Sequence, residues 1–326
     1  MKSRIALAAL VATGLGSSAV AEPSHIAIGI QNGIAYLPLQ VMAAQHLVEK
    51  HAKVLGLALT ADVLNLGQTG LVRDALIAGQ IQFGVAGPPT LITLFEKTRG
   101  EFAAADAVSS LPMTLNTTNP KIKSICDFAD GDKIALPTVK SSGQAVVLQM
   151  ASKALCGDAS RNDRYTVSMG HPDGYNALMS GLISAHMTSP PFAAAELTNG
   201  KGKVRRVLNS NDVLRSKASI VLLITSNAFR AANPVAYRAV REALEEGEAF
   251  VRKHPGQAAA IYKKAEKSRE SEADIVRQIT SPEVAFDTTP QGLGRFAAFM
   301  NEIGTIKGKY NWQQLSLPEL RSRKGS

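Results

Sequence analysis

The residues whose types and spacing can do chemistry lie in short turns, with no catalytic cluster among them. Five turns follow strand-like runs and open helix-like ones: Gln31-Asn32-Gly33, Gly67-Gln68-Thr69, Gly87-Pro88-Pro89-Thr90, Ser141-Ser142-Gly143-Gln144 and Ser189-Pro190-Pro191-Phe192. A helix start leaves backbone N–H groups without intrahelical partners and carries the positive end of the helix dipole, which suits an anion or a polar ligand head. Gln31, Asn32, Gln68, Thr69, Pro89, Thr90, Ser141, Ser142 and Gln144 are therefore the expected ligand contacts, through side chains or backbone N–H groups. One such turn alone is an ordinary helix cap. Five of them, divided between two stretches of chain, are expected to line the two sides of one cleft, because ligands of open α/β sheets sit outside the carboxyl ends of the strands.

Two further residues belong with this set. His171, in His171-Pro172-Asp173, opens another helix and can hydrogen-bond a ligand, the alternative being a surface histidine beside an Asp173 helix cap. Phe192 reads equally as an aromatic ligand wall and as lobe packing. His186 reads as a packed or hinge histidine. The six histidines lack an i, i+4 pair and no cysteine cluster accompanies them, so neither a metal nor a cofactor is expected. There is no Gly-x-Ser-x-Gly elbow, phosphate-loop lysine motif or dinucleotide glycine pattern, and Glu245-Glu246 and Glu270 to Glu272 sit on charged, solvated helix faces. Binding without catalysis is the expectation.

The elements that must position these turns alternate strand and helix, which argues for α/β architecture with largely parallel sheets. Ile26, Ile28 and Ile30 mark a first strand. Between Ala75 and Thr90, Gly79 ends a helix, Ile81, Phe83 and Val85 alternate as a strand does, and Pro88-Pro89 suits a first helical turn. After Met113 to Thr117, the turn cluster Thr118-Asn119-Pro120 reads as a crossing between lobes, and a second α/β series follows. Ser219 to Thr225 is a continuous apolar run of the buried-strand kind, expected to return the chain to the first lobe. Long helices follow from Asn233-Pro234 and are expected to pack on the outside of that lobe.

Lys2 and Arg4, an apolar run from Ile5 to Leu15 and then Ala19-Val20-Ala21 form the pattern of a cleaved secretory signal, with the cut expected after Ala21. Removing those residues from the 326 of the chain leaves more than one hydrophobic core usually serves, so two lobes are expected: 22–118, then 119–214, then a return over 215–326. The net charge of +9 loses the two basic residues of the signal; what remains helps attract anions and keeps the protein soluble. The basic run Lys201 to Arg206 lacks aromatics and reads as a solvated turn, so no nucleic-acid partner is expected, nor any stable membrane insertion. Cys126 and Cys156 are the only cysteines; they can form one bridge in an oxidising compartment or remain two buried thiols.

Several of these segments together resemble the periplasmic solute-binding proteins of ABC importers, specifically the nitrate/sulfonate/taurine family. The resemblance spans Ile26 to about Phe250. It rests on Ile28-Gly29-Ile30-Gln31 before Tyr36-Leu37-Pro38, on Asp74 to Gly79 with Phe83-Gly84-Val85-Ala86-Gly87, on Lys123 to Phe128 before Lys133 to Pro137, and on Ala177 to Gly181 before Pro190-Pro191-Phe192. It implies the two-lobed type II periplasmic-binding fold, each lobe a mostly parallel sheet flanked by helices, with two crossing strands as hinge. It also implies a small-molecule ligand between the lobes, a permease with a cytoplasmic ATPase as partner, a periplasmic location and a monomer. The acidic residue common in the family's Gly-x-Ile-Asp positions is replaced by Gln82 and Ser184. The ligand stays open between a small oxyanion (sulfonate, carboxylate or nitrate-like) and a heteroaromatic compound such as a pyrimidine, and no Arg in the five turns offers bidentate anion recognition. An exported ligand sensor is a further alternative. The related thiamine-pyrimidine synthases provide an enzymatic alternative on the same fold, but would imply a clustered-Cys segment and a reactive His, neither evident here.

Overall fold

The computed structural model describes residues 22–326, so the expected signal segment lies outside the described residues. The first stretch forms β1 (His25–Ile30), α1 (Leu37–Ala44), α2 (Leu47–Val54), β2 (Thr60–Asn65), α3 (Thr69–Ile77), β3 (Phe83–Ala86), α4 (Pro88–Lys97) and β4 (Phe102–Ser109). The second forms β5 (Thr114–Thr117), β6 (Ile134–Leu136), α5 (Gly143–Cys156), β7 (Thr166–Ser168), α6 (His171–Met179), β8 (Ala185–Thr188), α7 (Phe192–Asn199), β9 (Arg205–Asn209) and α8 (Ser210–Leu214). The return comprises β10 (Val221–Ser226), α9 (Asn227–Ala232), α10 (Pro234–Lys253), α11 (Pro255–Glu266), α12 (Glu272–Ile279) and α13 (Leu293–Glu302).

The strands assemble into two five-stranded sheets, ordered β2-β1-β3-β10-β4 and β7-β6-β8-β5-β9. Parallel pairs join β1 to β2 and β3, and β6 to β7 and β8. One strand in each sheet runs against the rest: β10 is antiparallel to β3 and β4, and β5 to β8 and β9. The expected pair of mostly parallel sheets flanked by helices is present, each with one reversed strand. Both reversed strands arrive straight from the other lobe. Without a crossover helix to turn the chain around, such a strand enters antiparallel.

One boundary differs from the sequence reading. Thr114–Thr117 belongs to the second sheet, between β8 and β9, so the chain crosses at Ser110 to Met113 and not at Thr118-Asn119-Pro120. A local pattern identifies a strand but carries no signal for which sheet it joins. The later turn only leaves β5: Asn119 donates its N–H to Thr117 Oγ1 (3.1 Å) and accepts from Lys121 N–H at Oδ1 (3.0 Å), the local bonding that gives Asn its turn preference.

Packing explains the rest. Ile26, Ile28 and Ile30 of β1 are buried with Leu37 and Leu39 of α1 and Val240 and Leu244 of α10, each such side chain contributing about 1.5–3 kcal/mol by leaving water. A second apolar cluster runs through both lobes by way of Leu91 and Ile92, Met113 and Leu115, Val147 and Leu148, and Phe296 and Met300. The C-terminal helices therefore do not all pack outside the first lobe. Helix α13 touches α4 of the first and α5 of the second. The Glu22 carboxylate accepts from the N–H groups of Val235 and Ala236 (2.7 and 3.0 Å), placing negative charge at the positive end of the long helix α10. Helix α5 is capped by Ser142, whose Oγ accepts from Ala145 N–H (3.2 Å), and ended by Gly157 at φ +80°. Cys126 and Cys156 form a disulfide, with Cα atoms 5.7 Å apart. No described helix is long and apolar enough to cross a membrane.

Candidate functional site

Strands β1, β3, β6 and β8 end at Ile30, Ala86, Leu136 and Thr188, and the next residue of each, Gln31, Gly87, Pro137 and Ser189, lines one cavity between the lobes. The same cavity receives the first turns of three helices through Thr69 of α3, Gly143 and Gln144 of α5, and His171 of α6. Ala35, Tyr36, Ile220 and Val221 complete the wall. Its volume is about 20 Å³, room for a water or two. The lobes are closed on each other here. A Cβ placed on Gly87 would stand 3.6 Å from Gly143 N, one on Gly33 3.6 Å from Pro190 O, and one on Gly170 3.6 Å from Gly67 O. Thr90 Oγ1 donates across the cleft to Ser141 O (3.1 Å).

Among the described residues, no Lys, Arg, Asp or Glu side chain lines the cavity. Its polar groups are neutral donors and acceptors. Thr69 Oγ1 donates to Gln31 Oε1 (3.2 Å), and burial pushes the Tyr36 phenol far above its ordinary pKa, so it stays protonated. From His171 a hydrogen-bonded chain runs away from the cavity into the second lobe. His171 Nδ1 lies 3.3 Å from His186 Nε2 and 3.1 Å from Thr188 Oγ1; His186 Nδ1 lies 2.6 Å from Glu196 Oε1; Asn116 Nδ2 donates to Glu196 Oε2 (2.8 Å). His186, Glu196 and Asn116 are all 0 % exposed. Burial lowers both imidazoles to about 3, His171 being held down further by its neighbour His186, and raises the Glu196 carboxyl to about 8.

Of the residues singled out in the sequence, Gln31, Thr69, Gln144 and His171 line the cavity, and the others do not. Ser142 spends its hydroxyl capping α5. Asn32 Nδ2 donates to Glu266 Oε2 (2.9 Å) on α11. Thr90 and Ser141 bond each other across the lobe contact, Pro89 is buried in the first turn of α4, and Gln68 precedes α3 without a side-chain capping bond. Phe192 stacks on His171 with ring centroids 5.7 Å apart, behind the cavity wall, and its other side faces a separate groove of about 810 Å³ between α6–α7 and α11–α12. His171 is buried, not the surface histidine of the alternative reading. Gly87, Pro137 and Ser189 could have been found, like Gln31, by taking the residue just after each strand, whereas Tyr36 lies six residues beyond β1. Glu196 gives no such signal, since its partners come from β5 and β8.

Glu266 ties this region together: besides Asn32 it accepts from Gly33 N–H (3.3 Å) and Gln40 Nε2 (2.7 Å). Glu266→Ala removes the acceptor of three donors at the first wall of the cleft, and is expected to lower stability by about 2 kcal/mol, as charged hydrogen bonds of this kind do. Chemical denaturation reads that loss, and Glu266→Gln should recover part of it.

A model of the NMT1/THI5-like family matches residues 56–258, more than half of the chain. No curated protein matches the sequence. Among solved structures, the chain is similar to the alkanesulfonate-binding protein SsuA of Xanthomonas axonopodis pv. citri bound to MOPS, at 16 % identity, with a TM-score of 0.72 over 90 % of this chain and 96 % of that one. The periplasmic aliphatic sulphonate-binding protein SsuA of Escherichia coli is 18 % identical, with a TM-score of 0.64 over 91 % and 92 %. The periplasmic nitrate-binding protein NrtA of Synechocystis PCC 6803 is 14 % identical, with a TM-score of 0.71 over 87 % and 82 %. At these identities the likeness is one of fold, the two-lobed periplasmic-binding-protein fold.

Proposed function

This chain belongs to the NMT1/THI5-like family, and from that premise we propose that it is an extracytoplasmic solute receptor that closes around a small anion and delivers it to an ABC import permease. The observation that carries this reading is the meeting of four strand ends, two from each lobe, at a single closed cavity. First-turn positions of α3, α5 and α6 around it offer backbone N–H groups and the favourable ends of three helix dipoles. That favours an oxyanion head of sulfonate, carboxylate or nitrate type. The sulfonate- and nitrate-binding descriptions of the structural neighbours support the same class. The small volume favours a compact head, with anything bulkier requiring the lobes to part. Closure follows a population shift, since a ligand bonded to both lobes binds the closed state more tightly than the open one. The reading places the protein in the periplasm as a monomer, with its signal removed after Ala21, and gives it no chemistry to perform.

A thermal-shift panel of sulfonates, carboxylates, nitrate and pyrimidines tests this. A true ligand at 100 times its Kd adds about 2.7 kcal/mol of stability and raises the melting temperature. A panel without any shift removes the proposed ligand classes, and conversion of a bound ligand to product removes the receptor reading.

A further inference from the structure

We propose that the buried chain of Asn116, Glu196 and His186 fixes His171 as a neutral N–H donor to the cavity, so that the cleft selects a ligand by an accepting atom and binds it tightly only while the chain keeps its one proton. The inference rests on the receptor reading above and deepens it: the ligand head accepts at this point, as an oxyanion or a ring nitrogen does and an ammonium or amidinium does not.

Polarity is set at the far end of the chain. Asn116 Nδ2 donates both to Ala193 O (3.1 Å) and to Glu196 Oε2 (2.8 Å). A backbone carbonyl only accepts, so the Asn116 amide cannot be turned round, and Glu196 Oε2 must accept from it. Any proton on Glu196 therefore sits on Oε1, 2.6 Å from His186 Nδ1. Whether that proton rests on the carboxyl or on the imidazole, His186 Nε2 carries a hydrogen and donates to His171 Nδ1, 3.3 Å away. His171 Nδ1, which Thr188 Oγ1 also meets at 3.1 Å, is then an acceptor, and a neutral ring with Nδ1 bare carries its hydrogen on Nε2. With Nδ1 turned to the chain, Nε2 is the edge left for the cavity wall, beside the Gln144 amide at 3.4 Å. That amide's O and N are interchangeable, so it accepts from Nε2–H until a ligand does.

Removing the proton reverses every link. An ionised Glu196 accepts from His186 Nδ1–H, His186 Nε2 accepts from His171 Nδ1–H, and His171 turns a lone pair toward the ligand. Burial favours the uncharged chain, since it lowers both imidazoles to about 3 and raises the Glu196 carboxyl to about 8. Donation to the ligand is thus present below about pH 8 and lost as pH rises through it. The other groups facing the chain keep one protonation state there: Gln144 from α5, Thr188 from β8, Phe192 from α7, Asn116 from β5 and the protonated Tyr36 from the opposite lobe. Asp173 on the first turn of α6 and Arg206, paired with Asn116 on β9, are exposed, and Arg205 donates instead to Asn119 O (2.8 Å). Gly174 of α6 leaves room for the chain, since a Cβ there would fall 2.5 Å from His186 Nε2.

Calorimetric titration with nitrate and methanesulfonate, both ionised throughout, at pH 7 and at pH 9.5 tests this. The expected result is a Kd about 30-fold higher at pH 9.5, with no net proton exchanged at pH 7 and uptake approaching one proton per anion at pH 9.5. A neutral pyrimidine, whose ring nitrogen accepts from the same N–H, should show the same ratio. Glu196→Gln separates the chain from every other titrating group. Its oxygen must face Asn116, so its NH₂ donates to His186 Nδ1 and holds the donating arrangement at either pH. Whatever its affinity at pH 7, this variant should give a Kd ratio near one, a readout that loss of packing does not move. Equal Kd at both pH values in the unaltered protein, a comparison that needs no variant to fold, overturns the inference and leaves the receptor reading standing. A Glu196→Gln variant that keeps the 30-fold ratio does the same. Absence of binding by any anion or pyrimidine overturns both.

Discussion

Gly87→Leu is expected to weaken ligand capture about 100-fold while leaving the ligand-free protein folded. Gly87 follows β3 at φ −73° and ψ 163°, an extended conformation open to any residue, so the substitution strains no backbone. What it lacks is space. A Cβ there meets Ile220 O at 3.3 Å, Gly143 N at 3.6 Å and Gly143 Cα at 3.7 Å, and the further carbons of leucine would have to enter a cavity of about 20 Å³ or push the lobes apart. Overpacking against Gly143 costs about 2–3 kcal/mol in the closed state, which corresponds to a loss of roughly 100-fold in affinity. Opening relieves the contacts with Gly143 of the second lobe, while Ile220 O, beside β10 of the first, still has to give way, so the melting temperature without ligand should fall only modestly. Gly87→Ala, adding one carbon, should cost less than about tenfold. Calorimetry on the two variants, beside the unaltered protein, checks the gradation; a leucine variant with unchanged Kd would mean that closure at Gly87 is not part of binding.

Opening the Cys126–Cys156 disulfide has the other large expected effect, and it falls on stability. Cys126 lies in the short turn before β6 and Cys156 is the last residue of α5, so the bridge pins the start of the second lobe to its principal helix. The linked residues are 30 apart, for which the chain-entropy estimate gives about 3–4 kcal/mol. Neighbouring contacts survive without it: Asn162 Nδ2 donates to Ile125 O (3.0 Å) and Arg161 to Cys126 O (2.6 Å). Folding should therefore persist, with the second lobe melting first. At about 2–4 °C per kcal/mol, the Cys126→Ser, Cys156→Ser double variant should melt about 10 °C lower, and reductant should lower the unaltered protein alike. A change within a degree would show that the bridge contributes nothing.

Particular residues show what the sequence could reveal. The alternation of Ile26, Ile28 and Ile30, the Gly79 helix end and the Pro88-Pro89 helix start act over a few neighbours, and each element stands where its pattern puts it. The crossing was misplaced by a few residues because sheet membership of Thr114–Thr117 is decided by hydrogen bonds to β8 and β9, far along the chain. At the cleft the same division holds. Helix starts are local, so turns that reach the cavity could be named; whether a polar side chain is free for a ligand depends on distant partners. Asn32 is engaged by Glu266, 234 residues away, and Ser142 by its own helix. The His171 chain was invisible for the same reason, since β5, α6, β8 and α7 must first be folded together before Asn116, His171, His186 and Glu196 touch.

The central claim is that one solute is held by both lobes at the meeting of the four strand ends. A crystal structure with the tightest-binding anion of the panel tests it most directly. The account predicts the anion between Thr69 or Gln31 of the first lobe and the α5 start and His171 Nε2 of the second, within hydrogen-bond distance of groups from each. An anion held by one lobe alone, or seated in the groove between α7 and α11–α12, would contradict it.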